Sequence, residues 1–184
     1  MQALIDKTID YVKKQLENAE TGHDWWHIER VLKNTRIILQ EEPQADPLIC
    51  ELAALLHDIA DPKFHEGDEK LGPELAEKFI LNELKLDSTI AKEVKLIIEN
   101  MSYSSQLNAI SYESLEMDIV QDADRLDAIG AIGIARAFNY GGFKGRELYN
   151  PQIPPAVNLS KEEYRKLKSP TLNHFYEKLL LLKP

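Results

Sequence analysis

The stretch Leu52-Ala53-Ala54-Leu55-Leu56-His57-Asp58-Ile59-Ala60 decides how the rest of the chain is read. An unbroken apolar run leads straight into a histidine and an aspartate. Such a run reads as the last turns of a buried helix. A carboxylate at its end is out of place, because carboxylates are almost never fully buried unless they are paired or bind a metal. The partner of Asp58 therefore has to come from elsewhere in the chain.

Working outward, Asp46-Pro47 fits an N-cap followed by proline at the first helical position, so this helix runs from there to His57. Upstream, Leu4/Ile5, Ile9, Val12 and Leu16 predict an amphipathic helix over 2–18, broken by Thr21-Gly22. A second helix is expected over about 23–41, with Ile28, Val31/Leu32, Thr35 and Ile38/Leu39 inward and Pro43 ending it. Downstream, 59–68 reads as a polar loop. Leu71, Leu75/Ala76 and Phe79/Ile80 mark a fourth helix. Asp87 or Ser88 caps a fifth, carrying Ile90, Val94, Ile97/Ile98 and Met101. Ser102 to Ile110 reads as loop, and Ser111 opens a helical stretch out to about Tyr140. A bend is expected near Asp122, since Asp122, Asp124 and Asp127 are poor helix formers. Gly141-Gly142 stops that helix. A long loop over 143–168 and a last helix from about Pro170 follow. The closing leucines, Leu179 to Leu182, either pack on the core or belong to a longer helix. No strand-type alternation is found, so the expected fold is all-α, a single-domain helical bundle over 1–184.

The bulk composition narrows the function. With 184 residues and 43% hydrophobic residues, the chain suits one folded domain. No stretch approaches the ~20 apolar residues that span a bilayer, and the first residues lack a signal-peptide pattern. The single cysteine, Cys50, excludes an internal disulfide and reads as a small core residue, which makes a cytoplasmic location the expectation. The net charge of −9 disfavours nucleic acid and membrane surfaces as partners. An anionic substrate would need a local cation, and a divalent metal would serve.

The histidines and aspartates supply candidates for that site. His23 and His27 lie one helical turn apart, around Asp24-Trp25-Trp26. Alone they read as ordinary structural histidines. His57-Asp58 admits a plain reading too, with Asp58 capping the next turn. Asp122-Ala123-Asp124-Arg125-Leu126-Asp127 would be a solvated face, except that it leads into Ala128-Ile129-Gly130-Ala131-Ile132-Gly133-Ile134-Ala135. Those small and apolar residues predict a buried, closely packed helix, so that the carboxylates leading into it face an interior site.

Taken together, the order His27, then His57-Asp58, then Asp124 resembles the metal signature of the HD-domain superfamily of phosphohydrolases. His23-Asp24-Trp25-Trp26-His27-Ile28-Glu29-Arg30-Val31 is similar to its first motif. Ala54 through Asp61 is similar to the second, and Asp122 through Ala131 to the third. Asn173-His174-Phe175-Tyr176-Glu177-Lys178-Leu179-Leu180 is similar to the C-terminal element of a small bacterial subgroup. The resemblance covers nearly the whole chain. It departs at the end, where members of the subgroup continue past the position of Pro184, so the last helix is either cut short or short in this member.

The resemblance implies one divalent ion held by His27, His57, Asp58 and Asp124. Asp124 is preferred over Asp122 because it immediately precedes Arg125-Leu126. A mixed imidazole and carboxylate set suits Mn, Fe, Ni, Co, Mg or Zn rather than Ca, with Mn favoured. Two-metal phosphodiesterases and di-iron oxygenases of the superfamily need further histidines, and only His65 lies between His57 and Asp124. Asp61 is implied as the catalytic acid/base; the alternative is an Asp-Pro turn opener. His23, Arg30, Lys63 and His65 are expected to bind phosphate, against a plain reading as solvated polar groups. Asp127 is expected to support a ligating histidine from behind. Lys144, Arg146 and Tyr149 of the long loop are candidates to close over a nucleotide, with nothing in the sequence that fixes that role. Trp25 and Trp26 suit base stacking or packing, with packing expected for at least one. The implied activity is a nucleoside triphosphate pyrophosphohydrolase. A nucleotide 5'-monophosphatase or other phosphate-ester hydrolase is the rival, and a guanosine-tetraphosphate hydrolase stands third. A non-catalytic metal or nucleotide sensor is the reading of a different class. The expected partners are a small-molecule nucleotide or phosphate ester and a second copy of the chain.

Overall fold

Asp46 starts the helix on which the fold is centred. Its carboxylate accepts from the amides of Leu48 (2.8 Å) and Ile49 (3.3 Å), two of the donors a helix leaves unsatisfied at its start. The computed structural model describes residues 1–17, 24–60, 68–106, 112–157 and 159–182, among which there is no strand. By contacts the chain divides into two units, Met1–Asp124 and Arg125–Pro184.

The first unit holds α1 (Gln2–Gln15), α2 (Trp25–Ile38), α3 (Pro47–Leu56), α4 (Leu71–Asn82), α5 (Ser88–Asn100), the short α6 (Tyr103–Gln106) and most of α7 (Leu115–Asp127). Every residue of α3 from Ile49 to Leu56 is buried. Such a helix needs neighbours on all sides, and α1, α2 and α5 pack on it, with α4 against α5. Glu51 is the one acid in that run. Arg36 on α2 holds it with an Nη2–Oε2 distance of 2.6 Å, and this bond raises the guanidinium's pKa further. Asp87 rather than Ser88 caps α5, accepting from the Thr89 amide at 2.7 Å.

Cys50 is fully buried on α3, and burial pushes its thiol up to about 12. A thiol so protonated and enclosed is a poor nucleophile. Native protein at pH 8 is therefore expected to leave an aromatic disulfide reagent unreacted over an hour, and to release one equivalent of chromophore in denaturant. Rapid labelling of native protein would contradict the core placement.

The second unit takes in the end of α7, then α8 (Gly130–Phe143), α9 (Lys161–Lys166), α10 (Asn173–Glu177) and a 3-10 turn at Leu179–Leu181. Here the structure departs from the periodicity. α7 runs unbroken through Asp122 and Asp124, and the break falls at Ala128-Ile129 instead. Asp122 is exposed, so its presence in the helix costs only a fraction of a kcal/mol. At the break, Gly130 takes a left-handed φ of 70°. Arg136 Nη1 meets Asp127 Oδ2 at 2.7 Å, tying the end of α7 to the body of α8. α8 is also not the buried helix its apolar run predicts, since only Gly133 and Gly141 are buried and Ile132 and Ile134 are exposed, and it outlasts Gly141-Gly142 to stop at Phe143. The amide of Gly145 donates to Gly142 O (3.0 Å) and that of Arg146 to Gly141 O (2.8 Å), while Gly145 has φ 62°. This is a Schellman cap, with Gly145 as the left-handed residue.

The expected loop over 143–168 contains α9. Part of it is clasped by the C-terminal element. Asn173 Nδ2 donates to Ile153 O (2.9 Å), and the buried Glu177 accepts from the Ala156 amide (3.2 Å) and Ser169 Oγ (2.8 Å). Of the terminal leucines, Leu182 is buried while Leu180 and Leu181 are exposed. No helix among the described residues is long and apolar enough to cross a membrane.

Candidate metal centre

Four groups of the first unit converge at one point. Asp24 caps α2 through the His27 amide at 3.1 Å, which sets His27 in the first helical turn with its ring turned into the core, 1% exposed. His57 is the C-cap of α3. Its Nδ1 lies 2.9 Å from the carbonyl of Ala54, one of the acceptors left unsatisfied in the last turn. With the proton on Nδ1, the Nε2 lone pair points away from the helix. The two rings stand edge to face at 78°, and their Nε2 atoms lie 3.3 Å apart.

The carboxylates close the set. Asp58 Oδ2 is 3.6 Å from His27 Nε2 and 3.7 Å from His57 Nε2. Asp124 Oδ1 is 3.4 and 3.9 Å from the same two atoms. A first-row divalent ion sits about 2.1 Å from nitrogen or oxygen donors, which separates tetrahedral ligands by about 3.4 Å and adjacent octahedral ones by about 3.0 Å. The spacings that involve an imidazole, 3.3 to 3.9 Å, are close to the first figure. Two carboxylates facing two imidazole nitrogens are also a cluster of acceptors, and a cation satisfies them all together. The residues fit the group the sequence implies. Among the described residues, His27, His57 and Asp124 have ligand atoms all within 4.8 Å of one another. Exposure rises from His27 and His57 (2% and 5% of their side chains) through Asp58 (17%) to Asp124 (39%). The centre thus has a dry wall and an open side, as a catalytic metal site requires.

Asp124 faces the imidazoles from α7, and the neighbouring Asp122 is exposed. Asn34 Nδ2 on α2 donates to Ala123 O at 3.1 Å and so ties α7 to α2 beside Asp124. The sequence reading passed over this residue. Its signal was available, because Asn34 stands two helical turns after His27. The Ala54 carbonyl, which orients His57, was also missed, since any residue supplies one. Asp127 is buried and engaged by Arg136, as described above. Arg30 sits half-buried on α2, one turn past His27. Trp25 packs against the core under Lys13, whose Nζ is 4.6 Å from the ring centroid, whereas Trp26 is exposed. His23, Asp61, Lys63 and His65 lie outside the described residues.

The family model that matches the chain is the HD domain, over residues 25–129. The chain belongs to the HD-domain family and so to its metal-dependent phosphohydrolases. It is 36% identical to the YpgQ protein of Bacillus subtilis over 175 residues, spanning 94% of this chain and 76% of that one. Crystalline YpgQ in complex with ADP superposes with a TM-score of 0.73 at 35% identity, over 98% of this chain and 79% of that one. A Lactobacillus plantarum protein gives a TM-score of 0.84 at 35% identity (99% and 83% of the chains). An HD-superfamily hydrolase of Bacillus thuringiensis gives 0.69 at 46% identity (99% and 81%).

Proposed function

We propose that this chain is a nucleoside triphosphate pyrophosphohydrolase, with one divalent ion, manganese first, held by His27, His57, Asp58 and Asp124. The observation that carries the reading is the four-donor cluster open on one side. The ADP bound to YpgQ supports a nucleotide as the ligand. When bound, the ion supplies Lewis acidity toward water and a phosphoryl oxygen.

The chain's own residues do the rest. The Ala54 carbonyl keeps the His57 Nε2 lone pair turned inward. The buried His27 side excludes water behind the reacting centre, while the Asp124 side admits substrate. Asp61 takes the proton of the attacking water. The water oxygen bonds to the α-phosphorus, the bridging α–β bond breaks, and pyrophosphate leaves with its electron pair. His23, Arg30, Lys63 and His65 hold the non-reacting phosphates, and Asp127, through its bond to Arg136, braces the end of the helix that carries Asp124. The single buried cysteine accords with a cytoplasmic setting.

Incubation with Mn²⁺ and a panel of nucleoside triphosphates, monophosphates and guanosine tetraphosphate tests the reading. Pyrophosphate and a monophosphate are expected from the triphosphates. Orthophosphate from monophosphates alone would favour the phosphatase, and no product from any of them would favour a sensor.

A further inference from the structure

The formal charge is divided unevenly between the two units. Residues 1–124 carry 12 Lys/Arg against 26 Asp/Glu, net −14, whereas residues 125–184 carry 10 against 5, net +5. Two of the latter's cations lie against the aromatic rings at the end of α8. Lys144 Nζ lies 5.6 Å from the Tyr140 ring centroid and 5.2 Å from that of Phe143. The Arg146 guanidinium lies 5.7 Å from the Tyr140 centroid. The two rings are themselves neighbours at 6.4 Å.

This is a built feature, not a mobile loop. The Schellman cap fixes the backbone from Gly141 to Arg146. Beyond it, the amides of Thr171 (2.8 Å) and Leu172 (3.0 Å) donate to the carbonyls of Glu147 and Leu148. Gly141 lets that segment approach, since a Cβ there would lie 2.1 Å from Thr171 Oγ1. The cations are thus restrained on aromatic faces, which lowers the entropy lost when they grip a ligand. A Cβ at Gly142 or Gly145 would meet nothing within 4 Å, so there is open space beside them. The nearby acid, Glu147, is engaged by Asn150 Nδ2 at 2.8 Å.

We propose that Lys144 and Arg146, seated on Tyr140 and Phe143, form a preformed anion site on the second unit for the polyphosphate of a nucleotide. The choice of a nucleotide rests on the function proposed above. A guanidinium and an ammonium drawn to one ring suit phosphate oxygens, the first through its planar fork and the second as a point charge. The competing account is that both cations only complement the negative end of the α8 dipole.

Titration calorimetry of the full chain in EDTA separates these, because chelation removes metal-mediated binding at the first unit. Inorganic pyrophosphate and ADP are the probes. The wild type is expected to bind both, and Lys144→Ala/Arg146→Ala to bind each at least 10-fold more weakly. Arg146→Gln alone should give an intermediate loss, and it serves where the double variant does not fold. Unchanged binding with a fall of a few degrees in Tm would mean a dipole role and overturn the subsite. No binding of either probe to the wild type would overturn it too, as would binding of ADP without pyrophosphate. Hydrolysis is not read in this titration, so a failed subsite leaves the hydrolase reading standing, and an inactive enzyme leaves the subsite standing.

Discussion

His57→Ala is expected to abolish stoichiometric metal binding while leaving the helical content unchanged. His57 Nε2 lies 3.3 to 3.9 Å from all three of the other donor atoms, so its loss opens the cluster on the side nearest α3. A site reduced from four protein donors to three, with two of them carboxylates, holds a borderline divalent ion far more weakly. The fold survives because the core surface of α3 is built from Leu52, Ala53, Leu55 and Leu56, none of which the substitution touches. Losing the donor to the Ala54 carbonyl costs about 1 kcal/mol.

Two measurements read this. Metal analysis after gel filtration should give near one ion per wild-type chain and near none for the variant. In thermal melts, an ion at 100 times its Kd stabilises the wild type by about 2.7 kcal/mol. At about 2–4 °C per kcal/mol for a chain of this size, Tm should rise by about 5–10 °C with Mn²⁺. The variant should show no rise, and Asp58→Ala should behave alike. A variant that keeps a full equivalent of metal would sink the ligand assignment.

Gly133→Ala is expected to be the most damaging single-methyl change in the second unit. A Cβ there would fall 2.2 Å from Ala128 O and 2.3 Å from Ala128 C. Both are backbone atoms of the break between α7 and α8, so neither yields as a flexible side chain does. The break itself is braced by the Arg136–Asp127 pair and by the left-handed Gly130. Overpacking of this kind costs about 3 kcal/mol, which lowers Tm by about 6–12 °C. Gly142→Ala is the control. It meets nothing within 4 Å and replaces glycine inside a helix, so it should be neutral or stabilise by up to about 1 kcal/mol. Equal melting of the two variants would contradict the close approach at Ala128.

The helices of the first unit were legible because their signals are local. A period of 3.6 in Leu4/Ile5, Ile9, Val12 and Leu16, and an Asp-Pro start at Asp46, act within a few residues of where they stand. Asp46 and Asp87 cap where such residues should. The end of α8 was misplaced by about three residues, since Gly141-Gly142 read as a stop. There the glycines continue the helix, and Gly145 supplies the left-handed turn. A glycine pair weakens a helix by only about 1 kcal/mol per residue, and packing outweighs that. The break expected near Asp122 failed in the same way. Propensity for aspartate is a weak term beside the burial of Met117, Ile119, Val120 and Ala123 on the same helix.

For the centre, the sequence alone determined the donor types and the anomaly that demanded a partner. A carboxylate at the end of an apolar helix cannot stand alone, and the count of histidines admitted few partners. Only the tertiary structure decided that Asp58 and Asp124 each come within 3.9 Å of the Nε2 atoms of His27 and His57, that Asp124 faces the imidazoles from α7, and that Lys144 and Arg146 sit on Tyr140 as part of a cap. The physical reason is range. Helix phase and capping follow from neighbours in the chain, whereas the distance between side chains on α2, α3 and α7 follows from how three buried faces fill one core.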